Sequence, residues 1–455
     1  MSKEVKEQSG FSVAMRNCLN KTGQGLKKVG LGLHKGFYTN GNRSLLSSVI
    51  CALMGILIGF LIMLIALAVP SVRAVAHPWQ ALGSIFAGPF TGLNPLKDFG
   101  NMLFRATPLI FTGLSVAIAY KTGLFNIGAP GQFLIGSLLS QLIALTIDSY
   151  YAPRVQGVFV WLLAVLVGTI GGILWGLIPG ALKAFFGINE VIVSIMTNWI
   201  AANMVTWVFS AEGLVHLHND RATKSAFLIN TDYTGNYTPT IGLGKLFGGS
   251  YLDIGIIIAI IAAIAVWFLL NKTTLGYSMK ATGLNKFAAK YAGINDKANI
   301  MISMGIAGGL AALGGCFYYL NPGVDFPWER TYQILPSYGF DGISAAFLAN
   351  CNPIGVIFSS IFIRYILSSG NSLEIAGYNH YFGDIITAVI IYLAAFSKYT
   401  QGVLGKYMTK MKVYFDAKFG LKNSDQYVNV NAGVNGKTAS PAPEVKTEEK
   451  KGEQE

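Results

Sequence analysis

"LLSSVICALMGILIGFLIMLIALAV", residues 45–69, carries no charged side chain from end to end. Coiled as a helix at about 1.5 Å per residue it reaches roughly 37 Å, longer than the ~30 Å hydrocarbon core of a bilayer. Inside lipid every peptide N–H and C=O must find its partner within the protein, which for a lone segment means a helix. Eight further charge-free runs lie near 106–120, 131–147, 157–182, 191–210, 254–270, 300–320, 342–363 and 385–397. Only 12% of the 455 residues are charged, against about 25% in a soluble domain. Most helices of a soluble protein carry a polar face, and these runs show no such stripe. The expected fold is all-α, a polytopic transmembrane helical bundle.

Lysine and arginine orient it. Residues 1–44 hold eight basic side chains against two acids, so the positive-inside rule places the N-terminus in the cytoplasm. The same rule accounts for the net charge of +12 without nucleic acid. No cleavable signal peptide is expected, because the first apolar run is too long and follows a polar stretch. The chain divides into a basic cytoplasmic segment (1–44), a transmembrane domain (45–400) and a cytoplasmic, largely disordered tail (401–455). Within the domain, 211–253 is a large external loop and 271–299 a cytoplasmic segment. Nine runs cannot return the chain to its starting side. "NCNP" splits the run at 338–367 into halves around 338–349 and 354–367, giving about ten membrane segments with broken or re-entrant helices and both termini inside. The expected location is the plasma membrane.

A second interruption, "KTGLFNIGAPGQFLIG" (121–136), also sets Gly, Asn and Pro between apolar runs. Interrupted segments in both halves of a chain point to a transporter's binding site, since irregular backbone at membrane depth needs protein or a water-filled cavity to satisfy it. A tight cytoplasmic turn is the plainer alternative. No catalytic constellation accompanies these breaks. "VNGKT" (434–438) has Asn431 where a phosphate-binding loop needs glycine. The five histidines fall in termini or predicted loops, and Cys18, Cys51, Cys316 and Cys351 lack metal spacing. No enzyme activity, metal or cofactor is expected in this chain.

"ATPLIFTGLSVAIAYKTGLFNIGAPGQFLIG" (106–136) resembles the signature of ATP-binding-cassette importer permeases for nucleosides and simple sugars. "GINEVIVSIMTNWIA" (187–201), "GYSMKATGLNKFAAKYAGIN" (276–295) and "GFDGISAAFLANCNPIG" (339–355) resemble the family's later landmarks, in the family's order. "GLFNIGAPGQ" is most similar to nucleoside-type permeases. The resemblance implies a permease subunit importing nucleosides, or alternatively a simple sugar or another small neutral solute. Its partners would be a separate ATPase binding ATP and Mg, an extracytoplasmic substrate-binding protein, and a second permease subunit, related or identical. An ion-coupled carrier is the contrasting class. It would need acids inside the spans, and the runs show none.

On this reading Asn126, Gln132 and Asn198 supply amides for a neutral solute along the pathway. Phe125, Phe133 and Trp199 offer faces for a base, with packing or lipid contact as their plainer duty. Gly128 and Gly131 keep the break open where it needs positive φ. Glu190 and Asp341 precede apolar runs and read as helix starts rather than substrate contacts. The segment 276–295 is identified with the family's ATPase-coupling region. Its small helix would bury Ala288, Ala289, Tyr291 and Ala292 in the partner's groove between Gly283, Asn285 and Gly293.

Overall fold

The computed structural model describes residues 40–69, 76–147, 153–210, 237–328, 331–379 and 381–395, with single positions at 400, 402, 403 and 407. Residues 1–39, 211–236, nearly all of 401–455, and four of the five histidines lie outside the described residues. Residues 39–402 form one compact unit, to which this description belongs.

The apolar runs all become helices, as peptide groups deprived of water require. In chain order these are α1 (Asn40–Ala66), α2 (Pro78–Ala87), α3 (Pro95–Lys121), α4 (Ala129–Thr146), α5 (Pro153–Phe186) and α6 (Glu190–Phe209). A short α7 (Leu243–Leu246) leads to α8 (Gly255–Lys272), α9 (Thr274–Leu284), α10 (Lys286–Tyr291) and α11 (Asp296–Tyr319). The chain continues through α12 (Ser337–Leu348), α13 (Pro353–Leu367), α14 (Gly370–Ile375) and α15 (Tyr381–Ala395). No strand occurs among the described residues. Seven helical segments there are long and apolar enough to cross a membrane, in α1, α3, α5, α6, α8, α11 and α13–α14, while α4 and α15 are shorter apolar helices.

Lipid tails give apolar helices no hydrophobic reason to associate, so close packing must supply one. Glycine lets it happen around α11, which packs against α5, α4 and α3. A Cβ on Gly172 would fall 2.1 Å from the Ala312 Cβ, and one on Gly308 would fall 2.2 Å from the Gly172 carbonyl oxygen. A Cβ on Gly136 of α4 would meet the Ala312 oxygen at 2.5 Å. Backbone therefore touches backbone on two sides of α11.

The run split by "NCNP" forms a helical hairpin of α12 and α13. Asn350 and Cys351 turn it with φ of 51° and 53°, and the Asn352 side chain caps α13 by accepting from the Ile354 N–H at 3.1 Å. Phe347, at the tip, lies against Tyr120 and Phe125 with ring centroids 5.2 and 6.0 Å away. The two interruptions therefore meet at one end of the bundle, and α9 and α10 join them there. At the hairpin's open end Arg364 returns to Tyr338 and Asp341. Gly55 and Gly59 of α1 face Ile390 and Ile386 of α15, which makes these two helices antiparallel.

Candidate functional site

The break at 121–128 is built from glycine conformation and amide hydrogen bonds. Gly123 closes α3 with φ 79°, its N–H reaching the Tyr120 carbonyl and the Leu124 N–H the Ala119 carbonyl, each at 3.0 Å. Left-handed glycine is the usual stop for a helix. Asn126 is fully buried. Its amide donates to Ser115 Oγ at 2.9 Å and Gln132 Oε1 at 2.8 Å. Its oxygen accepts from the Gly128 N–H at 3.1 Å and from Gln132 Nε2 at 3.2 Å. Asn198, from α6, accepts the Gly131 N–H and donates to the Ile127 carbonyl, both at 2.9 Å. Peptide groups orphaned by the break thus find partners on two amide side chains, Asn126 and Asn198, while Gln132 holds Asn126 in place; irregular backbone at depth requires this sort of pairing.

Gly128 has φ −75°, so positive φ is not what calls for glycine here. Close approach is the reason. A Cβ on Gly131 would stand 2.7 Å from Asn198 Oδ1, and one on Gly128 would lie 3.1–3.2 Å from Asn126, Gln132 and Ser194 atoms. Among the aromatics, Phe133 is buried and stacks on Tyr338 with centroids 6.1 Å apart. Phe125 packs on Phe347. Trp199 points the other way, into an outward apolar groove with Met196, Ile200, Met204 and Trp207.

The break touches the 271–299 segment directly. A Cβ on Gly283, at the end of α9, would fall 2.4 Å from the Lys121 carbonyl oxygen and 2.8 Å from the Gly123 nitrogen. Asn285 then caps α10, its Oδ1 accepting from the Phe287 and Ala288 N–H groups at 3.0 Å. Gly293 ends the turn with φ 77°. Ala288 and Ala292 are exposed, but Ala289 is buried against the chain's own body. That corrects the expectation that it faces a partner: on a six-residue helix, one face must rest on the protein itself. The outward side chains are Leu284, Phe287 and Tyr291, the last 95% exposed. Between break and segment lies a cavity of about 550 Å³ lined by Tyr120, Phe125, Glu190, Lys280 and Gly283, among others.

Glu190 opens α6 and pairs with Lys183 at 2.8 Å, while the neighbouring Asn189 is the residue that caps the helix. Asp341 departs from expectation. The helix starts earlier, at Ser337 behind Pro336, which leaves Asp341 inside α12, 3.5 Å from the Arg364 guanidinium. Reading the runs as charge-free missed a cluster at the opposite end of the bundle. There Asp98, Arg105, Arg364, Glu374 and Asp384 line a cavity of about 700 Å³. An arginine inside "FSSIFIRYIL" (358–367) was the available signal.

The family described as "Branched-chain amino acid transport system / permease component" matches residues 99–395. The guanosine ABC transporter permease protein NupP of Bacillus subtilis is 33% identical over 374 residues, covering 80% of this chain and 97% of its own. The nucleoside ABC transporter permease protein NupB of Lactococcus lactis is 32% identical over 358 residues, 78% and 92% of the two chains. The glucose ABC transporter permease protein TsgB13 of Haloferax volcanii is 29% identical over 357 residues, 75% and 89%. No solved structure matches.

Proposed function

Because the chain belongs to the branched-chain amino acid transport system permease-component family, we propose that it is the transmembrane permease subunit of an ATP-binding-cassette importer that moves nucleosides across the plasma membrane. Similarity at 33% along nearly the whole of a guanosine permease carries the reading. The multi-pass helical bundle agrees with a transport subunit. On this proposal ATP and Mg sit on a separate ATPase, a substrate-binding protein delivers solute outside, and a second permease subunit, related or identical, completes the channel.

The ATPase docks on α10 through Leu284, Phe287 and Tyr291, large apolar side chains at a capped helix presented outward. Gly283 passes its displacement to the break, because no atom separates the two backbones. Asn126, Gln132 and Asn198 hold the break's shape, with Gly128 and Gly131 giving the room. The α10 end faces the cytoplasm together with both termini. The test is uptake of labelled guanosine, adenosine and uridine in a strain deleted for the chain and complemented with it, with ribose and glucose as competing solutes. Saturable nucleoside uptake restored by the chain is expected. Uptake of a sugar and of no nucleoside would overturn the substrate assignment.

A further inference from the structure

The charged cavity lies at the end of the bundle away from α10. Its lining comes from the first turns of α3 (Asp98, Asn101, Arg105), the last turn of α13 (Arg364), α14 (Ser372, Glu374) and the start of α15 (Asp384). Asp98, Asn101, Met102 and Arg105 repeat at helical spacing, so one face of α3 forms a wall. Arg105 stands ten positions into α3, about 15 Å along its axis.

Arg364 is held in place. Its guanidinium carbon sits over the Tyr338 ring, 4.2 Å from the centroid, one nitrogen reaches Asp341 at 3.5 Å, and its buried Nε has no hydrogen-bond partner. The cavity mixes two cations with several carboxylates, hydroxyls and an amide. A site for an anion or a cation would present mainly one sign. Neighbouring hydroxyls on a neutral solute fit both signs at once, donating to carboxylates while accepting from guanidinium N–H groups.

We propose that this cavity binds the ribose diol of a nucleoside, with Asp98 and Asp384 accepting from its hydroxyls and Arg105 and Arg364 donating to them. The inference rests on the nucleoside reading above and adds to it a site within one subunit. Being opposite the ATPase-docking end, the cavity opens where an importer receives its solute. Met102 and Leu367 give the apolar contact that the sugar's carbon face needs.

The test uses the permease–ATPase complex in nanodiscs, without binding protein, and equilibrium binding of tritiated guanosine. The parental complex should prefer guanosine to 2′-deoxyguanosine by about tenfold, the worth of one charge-assisted hydrogen bond. Asp384→Asn and Arg105→Gln should each erase most of that ratio, which a general folding defect, lowering both ligands alike, would not do. Ser372→Ala, a milder change on the α14 side of the same cavity, should also reduce the ratio, which keeps the test open where a charge variant does not assemble. Absence of guanosine binding in the parental complex, or an unchanged ratio in the variants, would overturn this site. The nucleoside assignment itself stands or falls separately, on uptake by the intact importer.

Discussion

At the scale of single residues, the break is a set of hydrogen bonds whose loss has a definite cost. Asn198→Leu would strand the Gly131 N–H and the Ile127 carbonyl in a buried place. Each unsatisfied group costs about 1–3 kcal/mol, so thermal unfolding in detergent should fall markedly, and more than for the outward Trp199→Leu. Gly283→Ala should be harsher on transport than on folding. Its methyl would meet the Lys121 oxygen at 2.4 Å, forcing the break away from α9. Nucleoside-stimulated ATPase activity should then drop while the basal rate persists in the assembled complex. Asp253 gives a pH-dependent case. It lies just before α8, accepting from the Gly255 N–H and from Asn321, each at 2.8 Å. Burial pushes its carboxyl up from 3.8 to about 7, against those two donors. The folded state therefore keeps a proton that the unfolded chain releases. Stability should decline as pH rises from 3.8 toward 7 and level off above it. Melting temperatures across that range should slope downward in the parent and lie flatter in Asp253→Asn.

Among elements, α10 shows what could and could not be read from the chain alone. "GLNKFAAKYAG" (283–293) displays its cap and its stop, since asparagine before a helix and glycine after it have local causes. Which of its small residues turns inward depends on how the helix lies on the bundle, and that is tertiary. Hence Ala289 belongs to the fold and Phe287 and Tyr291 to the surface. Phe287→Asp with Tyr291→Asp should abolish co-purification of the ATPase and leave the permease's own melting unchanged. Ala289→Asp should instead lower melting, by placing a carboxylate against apolar contacts. Equal loss of the ATPase from an undestabilised Ala289→Asp protein would contradict the assigned faces. The helices were legible because the apolar runs leave the backbone one option. The charged cavity was not. Arg105 and Asp384 stand just outside apolar runs, where they look like loop residues until α3 and α15 are seen to extend past them, and Arg364 lies within the 354–367 half, where only tertiary packing brings it to the others.

For the molecule as a whole, the proposed orientation rests on charge, and the antiparallel pairing of α1 with α15 fits termini on one side. Single cysteines at Leu246 and Leu284, both well exposed, should separate cleanly under a membrane-impermeant maleimide in intact cells: Leu246 labelled, Leu284 protected. Reversal of the two would invert the molecule and remove the ATPase from α10. The glycine contacts on α11 bear on movement. Where Gly172 meets Gly308 and Ala312, and Gly136 meets Ala312, interlocked backbones cannot slide by a turn without collision. Helices α4, α5 and α11 must then rock as a single rigid block. The strokes of a transport cycle fall to joints outside that block, at Gly123, at the Asn350–Cys351 tip and at the end of α9. Paired spin labels on Ile178 and Ile302 should keep one distance through ATP binding and hydrolysis, while labels spanning Ile178 and Phe358 change theirs.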